Sequence, residues 1–74
     1  MEQRKHWWNG RWGRLGRRDV FLRTDGDQWH VEQRAGGVDG VSRYVEFDTE
    51  DAAYDAVRAL LAGQEDWREL SVGT

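Results

Sequence analysis

The chain has no cysteine. That excludes a disulfide framework and any thiolate metal site, and it suits a reducing cytosol. It also has no apolar run long enough for a signal peptide or a membrane span. The expectation is a soluble, cytoplasmic protein with no membrane partner. Histidine is scarce: His6 and His30 are the only two. No short motif joins either to further ligands, so no metal site is expected. Asp25-Gly26-Asp27 lacks the third acid and the closing Glu of a calcium loop. Ser42 and Ser71 sit in no nucleophile context. The stretch Gly36-Gly37-Val38-Asp39-Gly40 lacks the Lys and the following helix of a phosphate loop. The expectation is therefore no catalytic residue, no cofactor and no enzymatic activity.

Lysine is nearly missing as well, since ten of the eleven basic side chains are Arg. Arg presents a planar fork that grips carboxylate or phosphate and stacks on rings. A GC-rich coding bias accounts for the same excess. The placement of these residues is uneven. The first 23 residues hold Arg4, Lys5, Arg11, Arg14, Arg17, Arg18 and Arg23 against Glu2 and Asp19, a net +5. Trp7, Trp8 and Trp12 lie among them. The remaining 51 residues carry a net −8, so the overall −3 hides a polarised molecule. A cationic, aromatic surface suits a polyanion or an acidic partner.

With 74 residues the chain makes one small domain, 1–74. Its basic, Trp-rich segment is 1–18 and its loose tail is 71–74. Val20, Leu22, Trp29 and Val31 alternate with Phe21, Arg23, Gln28 and His30 on either side of Asp25-Gly26. This is a hairpin over 19–34, read as a two-residue type I′ loop that sets Leu22 opposite Trp29 and Val20 opposite Val31. A Gly-rich loop follows. Residues 41–47 form the next strand, with Val41, Val45 and Phe47 on one face and Ser42, Tyr44 and Glu46 on the other. Asp48 is a candidate N-cap. Ala53, Ala56, Val57, Leu60 and Leu61 recur at helical spacing, which predicts a helix over about 49–62 that stops at Gly63. In the tail, Trp67 and Leu70 are candidate anchors for a short turn. Asn9-Gly10 signals a second hairpin over 4–15 that pairs Trp7 with Trp12; a flexible arm is the alternative. The fold class is α+β: an antiparallel sheet of three to five strands packed on one C-terminal helix. The predicted core is Val20, Leu22, Trp29, Val31, Val45, Phe47, Ala53, Val57, Leu60 and Leu61.

Trp12-Gly13-Arg14-Leu15-Gly16 resembles the short signature of the WGR domain of DNA-repair ADP-ribosyltransferases. In that family a further strand and a helix follow soon afterwards. Here two strands and a Gly-rich loop come first, so no residue role is carried over. The outline from Val20 to Leu61 is similar to small bacterial proteins with a three-stranded sheet and one helix, an outline that implies no activity.

One helix covers one face of a sheet. Phe21, His30 and Tyr44 alternate onto the other face, which needs a cover or a partner. The leading expectation is a non-enzymatic protein-interaction or regulatory module. Its partner is another protein or a second copy of itself, as in a homodimer. The candidate binding residues are Trp7, Trp8, Arg11, Trp12, Arg14, Arg17, Arg18, Phe21, His30 and Tyr44. The alternative is nucleic-acid binding through the Trp/Arg/Gly segment. Gly10-Arg11, Gly13-Arg14 and Gly16-Arg17 resemble Arg/Gly-rich nucleic-acid segments, in which Arg contacts phosphate and rings stack on bases.

Overall fold

In the computed structural model, residues 2–13, 16–36, 40–63 and 66–70 are described. The elements are β1 (Glu2–Trp8), β2 (Arg18–Thr24), β3 (Trp29–Ala35), β4 (Val41–Phe47), α1 (Glu50–Leu61) and β5 (Arg68–Leu70). The five strands form one antiparallel sheet in the order β4-β3-β2-β1-β5. Helix α1 packs on β2, β3 and β4, which makes the expected α+β fold.

Alternation along the strands sorts the side chains. Val20 and Leu22 of β2, Val31 of β3 and Trp7 of β1 point to the helix side. They meet Ala53 and Val57 of α1 in the core. Trp29, Phe47, Tyr54, Leu60, Leu61 and Trp67 pack around that cluster while partly exposed. Leu22 and Val20 are fully buried. Each such aliphatic side chain stabilises the fold by roughly 1.5–3 kcal/mol.

Six sequence expectations need correction. The N-terminal hairpin over 4–15 does not form. Trp7 lies opposite Val20 and Trp8 opposite Asp19, so β1 pairs with β2 across the connection 9–17. The reason is the side chain of Asn9, which is 1% exposed. It donates to the Gly16 carbonyl at 2.8 Å and accepts from the Arg11 and Arg18 amides at 3.3 and 3.1 Å. Those bonds brace a wide loop in place of a tight turn.

The second correction concerns register. Leu22 faces Val31, and Thr24 faces Trp29, a shift of two residues from the expected pairing. The turn spans Asp25–Gln28, where Gly26 alone takes a positive φ, of 99°. Asp25 Oδ1 accepts the amides of Asp27 and Gln28 at 3.0 and 2.8 Å. Thr24 Oγ1 accepts from the Gly26 amide and donates to the Gln28 carbonyl. These side-chain bonds move the turn one position along. A shift of two leaves every residue on its expected face, because the side-chain period is two.

Third, Thr49 and not Asp48 caps α1: Thr49 Oγ1 accepts the Ala52 amide at 3.2 Å. The helix ends at Leu61, and Gly63 occupies the stop position expected of it. Fourth, Val45 is 54% exposed and lies outside the core, since α1 reaches the Phe47 end of β4 and leaves the middle of that edge strand open. Fifth, Trp7 is a core residue, 8% exposed, and not a surface one. Trp67 anchors the tail as expected. Sixth, the turn expected after it is the strand β5, which pairs with β1. Residues 71–74, expected to be loose, lie outside the described residues.

Candidate functional site: an arginine–aromatic face

Among the described residues, no helix or strand covers the second face of the sheet. From sequence it is the face that should expose Phe21, yet Phe21 is only 7% exposed. The cover comes from neighbouring side chains. The Cζ atoms of Arg23 and Arg34 lie 4.6 and 4.8 Å from its ring centroid. His6, opposite on β1, stacks on the ring at 4.2 Å. Cation–π contacts of this kind stabilise by about 0.5–2 kcal/mol each.

Both guanidinium groups are fixed by Glu32, which lies opposite Phe21 on β3. The Glu32 carboxylate is 1% exposed. It accepts Arg23 Nη1 at 2.5 Å, Arg34 Nη2 at 2.8 Å, and Ser42 Oγ at 2.8 Å. Burial pushes its carboxyl pKa up. Hydrogen bonds from Arg23, Ser42 and Arg34, with the Arg23 charge, outweigh that and hold it below the ordinary glutamate value.

A second carboxylate repeats the arrangement one strand pair away. Asp19, 2% exposed, accepts Arg17 Nε at 2.9 Å and Nη2 at 3.1 Å. It also contacts His6 Nε2 at 2.7 Å. With Asp19 ionised, Nε2 carries the proton and His6 donates. Burial raises the Asp19 pKa, but the Arg17 and His6 hydrogen bonds bring it below the usual value. Arg17 reaches further: its Cζ lies 5.5 Å from the Trp8 ring and 6.0 Å from the Trp12 ring. Those two rings meet edge-on at 4.7 Å. Trp8 Nε1 donates to the Arg11 carbonyl at 2.9 Å, which ties the loop down over Trp8. Rings, guanidinium groups and carboxylates thus run without a break from Trp12 to Arg23 across β1, β2 and β3.

The candidate residues divide accordingly. Trp8, Trp12, Arg17 and Phe21 come together in this network. Trp12 remains 78% exposed at its end, and Tyr44, on the same face opposite Glu32, is 64% exposed. His30 is on this face too, with Nε2 3.6 Å from Asp25 Oδ2, an ion-pair distance too long for a hydrogen bond. Trp7 is not in the network because it faces α1. Arg18 also points to the helix side, where it lines a groove with Gln33, Ala35, Val41 and Arg43. Arg11 contributes its backbone carbonyl. Arg14 lies outside the described residues.

Six members were not among the candidates: His6, Asp19, Arg23, Glu32, Arg34 and Ser42. Their signal is the alternation itself, read in the true register. That register sets Asp19 opposite Arg34 and Phe21 opposite Glu32, which puts Arg23 diagonal to Glu32, while Arg34 is the same-face neighbour of Glu32 on β3 itself. The register expected from Asp25-Gly26 sets Glu32 opposite Asp19 and separates it from Arg23.

No protein-family model, curated protein or solved structure matches the chain. The case for function rests on this geometry. Among the described residues no helix is long and apolar enough to cross a membrane, and no three His, Asp or Glu side chains gather as a metal site.

Proposed function

We propose that the chain is a small, non-enzymatic protein-interaction module that docks through the arginine–aromatic face, with Trp12 as its anchor. The observation that carries this reading is the state of Trp12. A large apolar ring stands 78% exposed, yet it is held in place by Trp8 and Arg17. An anchor that is already ordered loses little freedom on binding, and Trp is the residue most enriched at interface hot spots. The matching partner is a protein surface with an apolar pocket for the indole. The lack of cysteine favours a cytoplasmic setting for that encounter.

The charges favour a protein over a nucleic acid. Most of the cationic N-terminal segment is neutralised within the fold. Arg4 pairs with Glu2, Lys5 with Glu69, Arg17 with Asp19, and Arg23 with Glu32. Arg18 lies on the opposite face. Four of the seven basic side chains of that segment are thus paired within the fold, which lowers the charge available to phosphates.

The test places p-benzoylphenylalanine at position 12 and irradiates the protein in its source cells. The crosslinked partner is then purified and titrated. Trp12→Ala should bind it roughly 30-fold more weakly. Equal binding by Trp12→Ala ends the proposal. A fluorescence titration with single-stranded and duplex oligonucleotides, at low and physiological salt, checks the alternative. Saturable single-strand binding with a steep salt dependence would replace the protein partner with a nucleic acid.

A further inference from the structure

The two edges of the sheet are built differently. Edge β5 has three residues, two of them the charged Arg68 and Glu69, and Glu69 pairs with Lys5 at 2.9 Å. A short, charged edge is a poor template for another strand. Edge β4 has seven residues, pairs with β3 without a bulge, and holds neither Pro nor Lys. It exposes Val41 (75%), Tyr44 (64%) and Val45 (54%). A long, regular edge with apolar side chains on both faces is a strand looking for a partner.

We propose that β4 pairs antiparallel with β4 of a second copy, closing a two-fold dimer with a continuous ten-stranded sheet. Register and charge select a second copy over an unrelated strand. A two-fold axis normal to the sheet keeps each residue on its own face, so only three central registers keep most of β4 paired. With Tyr44 on the axis, Tyr44 meets the partner's Tyr44, and Val41 meets the partner's Phe47. Arg43 lies opposite the partner's Val45, and Ser42 opposite the partner's Glu46. Centring on Arg43 instead would oppose two like charges, which is destabilising. Centring on Val45 would leave Val41 beyond the end of the partner strand. The Tyr44-centred register keeps Val41, Tyr44 and Val45 all within the paired strand and opposes no like charges.

The ends of β4 carry opposite charge. Beside Val41, on the helix side, Arg18 and Arg43 line a groove, and among the described residues no carboxylate pairs with either. Beyond Phe47, the exposed Asp48 and the exposed first-turn acids Glu50 and Asp51 begin α1. Antiparallel pairing brings the basic end of each copy to the acidic end of the other. The two contacts are equivalent, so the assembly closes at two copies and does not grow into a filament. This interface is separate from the Trp12 anchor, and the axis leaves both Trp12 loops on one face of the dimer.

Sedimentation velocity across micromolar to millimolar concentration tests the state directly. The wild-type protein should sediment as a dimer, and so should Trp12→Ala. Val45→Lys should sediment as a monomer with an unchanged far-ultraviolet circular dichroism spectrum, which shows that it still folds. The absence of native cysteine permits a second arm. On the axis, the Cα atoms of paired Tyr44 residues stand about 4.5–5.5 Å apart, within disulfide reach. Tyr44→Cys should crosslink on mild oxidation. Glu46→Cys, roughly 13 Å from its copy at four residues of offset, should not. A wild-type monomer at every concentration overturns the proposal, as does equal crosslinking at the two positions. Either result leaves the Trp12 reading standing, because the test involves no other partner.

Discussion

Along β2, Val20 and Leu22 are fully buried beneath the helix, while Asp19 and Phe21 are 2% and 7% exposed on the side where, among the described residues, no helix or strand lies above the sheet. Neighbouring residues of one strand reach nearly the same burial by different physics. On the helix side, aliphatic groups leave water for one another, and the gain is non-directional. On the other side, a ring is enclosed by guanidinium groups whose positions depend on two buried carboxylates. That interior is directional, depends on protonation, and fails in pieces. The contrast teaches that a thin protein can shelter both faces of a sheet without a third layer, if one face supplies its own cover.

Breaking each side should separate the two kinds of burial. The largest effect belongs to the helix side. Leu22→Ala should cost about 2–5 kcal/mol in urea unfolding, by a similar amount at neutral and mildly acidic pH. Glu32→Gln should cost less, about 1–3 kcal/mol, because Arg23 and Arg34 lose a charged acceptor yet stay partly in water. It should also free the Phe21 ring from its fixed contacts, which ring-proton NMR shifts report.

The next effect is the pH profile. Glu32 and Asp19 both have pKa values below their unfolded ones. Their contribution is complete above the unfolded carboxylate range and is lost as pH falls below about 4. Wild type should lose stability there more steeply than Glu32→Gln does. Matching acid branches would show that folding leaves the Glu32 pKa where it is in the unfolded chain. The smallest effect concerns the helix start: Thr49→Ala should cost about 0.5–2 kcal/mol. Asp48→Ala should cost measurably less, and the reverse order would return the cap to Asp48.

What was legible in the sequence followed from period. The alternation of 19–34 and 41–47 and the stripe from Ala53 to Leu61 each carry their own spacing, and the strands and helix follow it. Asn9-Gly10 misled because its local signal for a tight turn is real. Asn9 bonds instead to Gly16 and Arg18, contacts that exist only once β1 lies on β2. The register of the 19–34 hairpin misled for a similar reason, as the side chains of Thr24 and Asp25 decide where the turn closes. The faces survived that slip and the site did not. A face depends on parity alone, whereas a carboxylate clamped by two arginines depends on which residues are opposite.

Asn9 has a further chemical consequence. An Asn followed by Gly is ordinarily the most perishable peptide unit in an ageing protein, because the next amide nitrogen attacks the side-chain carbonyl and expels ammonia. Here the Asn9 side chain is held by Gly16, Arg11 and Arg18 and is shut away from solvent. The attack must wait until connection 9–17 opens locally. Slow accumulation of isoaspartate at position 9 would therefore act as a clock, counting how often the loop that carries Trp12 comes undone.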